Sequence, residues 1–315
     1  MSNRTFLPVL AIAPLLAFVS TDATAQVIRR ITTPPALNDT TVQRPDLPMV
    51  VAGNDGQVVS FPDMTGANKS PSLGTAPRAT VGALVSEGSE IMTLVSGGYP
   101  VRQNRLTGTW ERLSSPAISS VAYDREGRLV SSGCGEAAIF RRERNGTTSR
   151  YGTKGTGIGQ FECPEGVTVD AQGRIYIADL HRVIRVDDLD GRGWVTLGST
   201  GSGANQFLQA RKIVVDRKGR IYVADYGNAR ISRTDDMNGA GWTSISASAL
   251  GLTAVYGIAV DVYDRLYVAD AVGNRIVRVD NLTGANKKTL DLRGTIGGPA
   301  AIWVRPPVVN MGAIR

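Results

Sequence analysis

The chain carries one histidine, His181, in 315 residues, and that scarcity removes much of the enzyme repertoire. A single imidazole cannot build a His-rich zinc site, and without a partner it completes no nucleophilic triad. Cysteine is nearly as rare, with Cys134 and Cys163 the pair present. No segment interleaves a dense basic run with aromatics, which is the footprint of a nucleic-acid surface, so nucleic acid is not an expected partner. The densest basic cluster, "RRERNGTTSR" at 141 to 150, reads as a solvated strand pair and its turn. Past residue 25 no run is long and apolar enough to span a bilayer, and nothing of helical length and period interrupts the chain.

What is present is a globular composition rich in turn formers, with 42% hydrophobic and 20% charged residues, 36 glycines and 15 prolines. The first 25 residues stand apart. Arg4 precedes the apolar run "FLPVLAIAPLLAFV" (6 to 19), and "ATA" at 23 to 25 offers small residues for cleavage. This pattern predicts an export signal over residues 1–25. A membrane anchor is the competing reading, but the run falls short of the roughly 20 apolar residues a span needs, and Pro8 and Pro14 interrupt it. A periplasmic or secreted protein with no span after signal removal is therefore expected. Arg4 and Asp22 cancel, so the mature chain keeps the net charge of +7; solubility alone is the plainer reading of that charge, and acidic glycans, anionic lipid or an acidic protein face are the partners it would otherwise attract. Residues 26–47, with Pro34, Pro35 and Pro45 and with Pro48 just beyond, read as an extended linker.

Beyond the linker the chain repeats itself. "GRIYIAD" (173 to 179) returns as "GRIYVAD" (219 to 225) and "DRLYVAD" (264 to 270). Arg128, Arg174, Arg220 and Arg265 each precede an apolar strand pattern at spacings of 46, 46 and 45 residues, the period of a four-stranded propeller blade. Within a unit the order is constant: an inner strand ("PEGVTVD", 164 to 170), a tight turn, a second strand ("IYIAD"), a third ("VIRVD", 183 to 187) and an outer strand near "WVTLG" (194 to 198). Asp124 with Gly127, Asp170 with Gly173 and Asp216 with Gly219 put an aspartate before the turn and a glycine where positive φ is needed, and Asp264 takes the glycine's place in the last unit. Weaker units fit the same template at 81–98 and 116–133. The first unit (49–69) lacks an inner strand, whereas "GGPAAIWV" (297 to 304) is an inner strand with no second strand after it. An all-β fold follows: a six-bladed β-propeller of four-stranded antiparallel blades over residues 48–305, closed by the C-terminal strand completing the first blade, with a tail at 306–315.

The phrase "G-x-G-Q-F-x-x-P-x-G-V-x-V-D-x-x-G-R-I-Y-I-A-D" (157 to 179), with "YVADYGNARI" (222 to 231) and "YVADAVGNRI" (267 to 276), resembles the NHL-repeat family of six-bladed propellers, strongly from 157 to 290 and weakly before 115. The resemblance implies architecture more than activity, since such propellers include binding scaffolds, sensor domains and a few enzymes. Propeller lyases of the streptogramin and peptide-amidating kinds would need several histidines in the channel. The calcium-dependent, gluconolactonase-like lactonase type would need oxygen ligands at the channel mouth, six to eight around the ion. Aligning the inner strands on Asp170 puts Val81, Ser119, Glu165, Arg211, Tyr256 and Ala300 there, one acid beside one arginine. The close acids Asp187, Asp188 and Asp190 also invite a calcium reading, but the D-x-x-G turn recurs at Asp63 and Gly66 without them. No cofactor is expected, calcium being the ion to test.

Cys134 falls in the loop between the second and third strands of one unit and Cys163 just before the inner strand of the next. Those two loop classes open on one face of a propeller, so a Cys134–Cys163 disulfide is expected in an oxidising compartment; two free thiols are the alternative. On that same face, where side chains of all units converge, Arg211, Glu165, Tyr256, Tyr226, Asn228 and His181 are the expected contacts for a polar or anionic ligand, a protein, peptide or cell-envelope component. For His181 an exposed loop residue, and for Asn228 a turn former, are the plainer alternatives. A non-enzymatic binding or scaffold role leads, with a metal-dependent lactonase or hydrolase behind it.

Overall fold

A computed structural model describes residues 45–69, 73, 81–87, 90–95, 98–103 and 109–304. The expected export signal, most of the linker, the "RLTG" turn at 105 to 108 and the C-terminal tail lie outside the described residues.

Strands β1 (Met49–Gly53) and β2 (Val58–Phe61) come first. Four-stranded sheets follow from β3 (Val81–Glu87), β4 (Glu90–Val95), β5 (Tyr99–Gln103) and β6 (Trp110–Arg112), and from β7 (Ser120–Tyr123), β8 (Leu129–Gly133), β9 (Ala138–Arg142) and β10 (Thr148–Tyr151). A short parallel pair, β11 (Thr153–Lys154) with β12 (Gln160–Phe161), leads into the sheet of β13 (Pro164–Val169), β14 (Ile175–Asp179), β15 (Arg182–Val186) and β16 (Val195–Leu197). A second such pair, β17 (Ser199–Thr200) with β18 (Gln206–Phe207), precedes β19 (Ala210–Val215), β20 (Ile221–Asp225), β21 (Arg230–Thr234) and β22 (Thr243–Ser246). The last four-stranded sheet holds β23 (Gly257–Val260), β24 (Leu266–Asp270), β25 (Arg275–Val279) and β26 (Lys288–Asp291), and β27 (Pro299–Val304) ends the described chain.

Strand β27 returns to the start and pairs antiparallel with β1, Val51 opposite Ile302 and Val50 opposite Trp303, giving the order β2-β1-β27. The expectation of six four-stranded blades needs correction here. Among the described residues five blades are four-stranded, and the sheet uniting the first and last described strands has three strands. At its fourth position only Leu73 is described, donating its N–H to the Val58 carbonyl at 2.8 Å.

Period-two alternation gives each sheet two apolar faces, and the faces of neighbouring sheets make the core. Ile139, Ile177 and Ile184 fill one interface, Tyr176, Ile213 and Val223 the next, and Tyr222, Val268 and Val277 a third, all nearly free of solvent. The β27–β1–β2 sheet packs on one side through Met49, Phe61 and Tyr267 and on the other through Val50, Val58 and Leu84. The innermost strands stand side by side: β3 by β7, then β13, β19, β23, β27 and β3 again. They surround a cavity of about 260 Å³ lined by Leu84, Val121, Thr168, Lys212, Ile258 and Ile302 among others.

The turns take the conformation read from the sequence. Gly173 and Gly219 adopt φ of 87° and 83°, and Asp264 follows at 62°. The arginine closing each turn has a role the repeat alone did not reveal: it returns to the turn's aspartate, Arg174 Nε lying 2.6 Å from Asp170 Oδ2, with the same pair at Arg128–Asp124, Arg220–Asp216 and Arg265–Asp261.

Candidate functional site

The aspartate that ends each repeated phrase builds one end of the lumen. Asp179, Asp225 and Asp270 are fully buried, and each carboxylate accepts backbone N–H groups from the loop entering the inner strand. Asp179 takes those of Glu162 and Cys163, Asp225 that of Leu208, and Asp270 those of Thr253 and Ala254, at 2.6 to 3.2 Å. Each is neutralised by an arginine of the third strand: Arg182 at 2.9 Å, Arg230 at 2.8 Å and Arg275 at 3.0 Å. A buried carboxylate without such partners would be unaffordable, so the three loops are held where the pairs hold them.

One or two residues beyond the clamped loops, the inner strands bulge. Register shifts at Pro164/Gly166 and Ala210/Lys212 leave Glu165 and Arg211 unpaired and free to turn to the mouth. In β3 the shift lies between Val81 and Ala83, so the counterpart of Glu165 is Gly82, not Val81 as the sequence alignment suggested. Around the mouth the series is Gly82, Ser119, Glu165, Arg211, Tyr256 and Ala300, which puts the three large side chains on three consecutive inner strands.

These three meet, and Tyr226 joins them. Arg211 Nε lies 3.4 Å from Glu165 Oε2, and its guanidinium carbon sits 3.9 Å from the Tyr226 ring centroid. Tyr226 and Tyr256 make a T-shaped contact with centroids 5.5 Å apart. The Tyr256 phenol is held above its ordinary pKa, first by its hydrogen bond with Tyr226 and then by burial. Arg211 Nε is shielded from solvent and makes no hydrogen bond. Beside Glu165, Cys134 and Cys163 form the expected disulfide, with Cα atoms 4.1 Å apart, and Glu165 Oε1 lies 3.8 Å from Cys163 Sγ.

The model of the NHL repeat matches residues 207–233, the stretch holding Arg211 and Tyr226. Among solved structures, a protein of unknown function from Bacteroides caccae is similar over 82% of this chain and 98% of its own, with a TM-score of 0.62 at 12% identity. The fold is a β-propeller, and it carries an NHL-repeat match at 207–233. Virginiamycin B lyase from Staphylococcus aureus is similar to it with a TM-score of 0.53 at 16% identity, over 70% of this chain and 73% of the lyase. A catalytically inactive histidine-to-alanine variant of that lyase, solved with quinupristin, matches at 0.53 and 17% over the same shares. Identities this low carry the fold and not the reaction. A comparison with curated proteins finds no match.

Two further expected contacts, Asn228 and His181, have the following surroundings. Asn228 spends its amide within the protein, donating to the Gly201 carbonyl in the loop between β17 and β18 at 2.9 Å and to Asp225 at 2.8 Å. His181 is half-buried rather than exposed, and its Nδ1 is shielded without a hydrogen-bond partner. The acids at 187–190 serve the turn: Asp188 accepts the Asp190 N–H and pairs with Arg192, which draws its carboxyl down to about 2. Among the described residues, the one set of three acid, cysteine or histidine ligand atoms mutually within 4.8 Å is Cys134, Cys163 and Glu165, whose two sulfurs are bonded to each other. Sequence reasoning missed Lys212, which lines the lumen directly beneath Arg211. Its signal was present: the aligned phrases read "PEGV", "ARKI" and "VYGI", and only one carries lysine at the third place.

Proposed function

We propose that this chain is an exported, non-enzymatic binding propeller, with the β2-β1-β27 sheet serving as the sixth blade of its ring, that holds a polar or anionic ligand at the lumen mouth. The observation that carries the reading is the half-ring of Glu165, Arg211 and Tyr256, buttressed by Tyr226, facing small residues at Ala300, Gly82 and Ser119. Large recognition groups on one side and, among the described residues, small ones on the other suit a chain end or acidic side chain entering from above. Arg211 supplies a guanidinium charge to an anion, while Tyr226 fixes the guanidinium plane and lowers the entropy lost on binding. The net charge of +7 draws such partners in. The leader at 1–25 and the Cys134–Cys163 bridge favour a periplasmic or secreted setting, where a protein, peptide or acidic envelope component would be met.

The test is capture from the native envelope fraction by the wild-type chain and by an Arg211→Ala/Tyr226→Ala double variant. A ligand retained by the first and lost by the second supports the reading; equal retention removes the mouth as the site. The competing reading, a calcium-dependent lactonase, predicts a stoichiometric ion in the purified chain, with activity on simple lactones that disappears on chelation.

A further inference from the structure

Just inside the mouth, strand register lines up a second level of the ring. Ala83, Ser120, Gly166, Lys212, Gly257 and Ala301 each stand opposite the penultimate residue of the second strand in their sheet: Leu94, Ser132, Ala178, Ala224, Ala269 and Ala52. Five of the six are Ala, Ser or Gly. The small residues are needed where backbones close up: a Cβ on Gly166 would lie 2.7 Å from the Arg211 carbonyl oxygen, and one on Gly257 2.5 Å from that of Ala300. The sixth position carries a long, flexible lysine.

The Lys212 side chain extends into the space the small residues leave. Its Nζ passes the intervening strand β13 and donates to the Ser119 carbonyl at 3.4 Å, a long bond to a neutral acceptor, in the wall of the cavity of about 260 Å³. The other lysines differ. Lys218 pairs with Asp264 at 3.0 Å, Lys288 with Asp46 at 2.9 Å, Lys69 donates to Thr295 and Lys154 to the Glu162 carbonyl, and Lys287 is exposed. Desolvation holds the Lys212 ammonium down at about 8; the carboxylate of Glu165 opposes this and the guanidinium of Arg211 adds to it. A desolvated amine beside a second cation is the arrangement that makes lysine a nucleophile near neutral pH.

We propose that Lys212 is a carbonyl-reactive amine that captures a small α-oxo acid inside the ring as a reversible imine. The neutral Nζ attacks the carbonyl carbon and a C–N bond forms as the C=O π bond breaks, giving a carbinolamine. The carbonyl oxygen then leaves as water with the two amine protons, and C=N remains. One amine and one carbonyl yield one imine and one water, with no oxidant or reductant. Arg211 at the entrance favours a carbonyl compound bearing a carboxylate over a neutral aldehyde. The capture needs no macromolecule at the mouth, so it stands or falls apart from the binding reading above.

The experiment uses the intact chain with glyoxylate as probe and cyanoborohydride to trap the imine, followed by proteolysis and mass spectrometry of every lysine. At neutral pH the lower pKa gives Lys212 on the order of a hundredfold more free amine than an ordinary lysine, so its adduct should form at least about tenfold faster than that of Lys287. Its rate should reach half-maximum near pH 8, acetaldehyde should be trapped more slowly, and denaturation should erase the preference. A Lys212→Met variant should lose only this adduct. Equal labelling of Lys212 and Lys287, an unlabelled Lys212, or a Lys212 rate that rises only in the ordinary lysine range would overturn the proposal; each is read on the wild-type chain, whether or not the variant folds.

Discussion

The guanidinium of Arg211 sits over the ring of Tyr226, 3.9 Å from its centroid, and that contact joins two neighbouring sheets at the lumen mouth because Tyr226 also abuts Tyr256. The three side chains act on one titration in opposite senses. The hydrogen bond with Tyr226 raises the Tyr256 pKa, whereas Arg211 lowers it. Replacing Tyr226 by Phe should move the Tyr256 transition down toward the ordinary phenol range, and Arg211→Ala should move it up. Ultraviolet difference titration of the two variants checks both signs; shifts in the same direction would mean the three do not form one cluster.

The Cys134–Cys163 bridge spans 29 residues and ties the loop after β8 to the loop before β13, beside Glu165. Closing a loop of that length is worth roughly 3–4 kcal/mol in the chain-entropy model. A Cys134→Ser/Cys163→Ser variant should unfold at lower denaturant by about that amount, and the unreduced wild type should give no thiol titre after denaturation.

Asp225 accepts the Leu208 N–H at 2.8 Å and pairs with Arg230 at 2.8 Å in a site without solvent. Asp225→Asn keeps the volume but leaves Arg230 without its counter-charge, a change that costs about 3–5 kcal/mol. Thermal unfolding should fall by on the order of ten degrees. Amide exchange at Leu208 should quicken beyond what the global loss explains, because that N–H loses its carboxylate acceptor.

Alkaline pH offers a further check. Burial is the first cause that pushes the Tyr222 phenol up to about 12 from 10. The folded chain therefore keeps a proton that the unfolded chain releases above pH 10, and stability should drop as pH rises through the window from 10 to 12, at up to about 1.4 kcal/mol per pH unit. Tyr222→Phe should flatten that slope. Tyr267, raised in the same direction by burial, leaves a residual one.

Much of the architecture was legible in the sequence because propeller blades are local: period-two alternation, the Asp-x-x-Gly turns and a repeat near 46 residues are all written within one unit. The Cys134–Cys163 pairing followed from the order of the loops. What stayed hidden was relational. The arginines of "GRIY" and "DRLY" looked like punctuation and are partners of Asp170, Asp216 and Asp261 four residues back. The aspartate of "VAD" looked like the start of a loop and is the buried anchor of a different one, across the sheet. Asn228 resembled a ligand contact because exposure of a loop amide cannot be read from its neighbours, and its hydrogen bonds close inward on Gly201 and Asp225. Bulges were invisible as well, which displaced the Val81 alignment by one residue and concealed the level that Lys212 shares with five small residues.

The most direct test of the mouth as the binding site is backbone hydrogen exchange of the wild-type chain with and without the native envelope fraction. Slowed exchange is predicted in peptides covering 162–166, 208–212, 226–229 and 253–256, with no change in the peripheral peptides 141–150 and 235–246, each holding a turn and outer-strand residues. Protection confined to the basic turn at 141–150, or absent from the mouth peptides while other segments slow, would contradict the account.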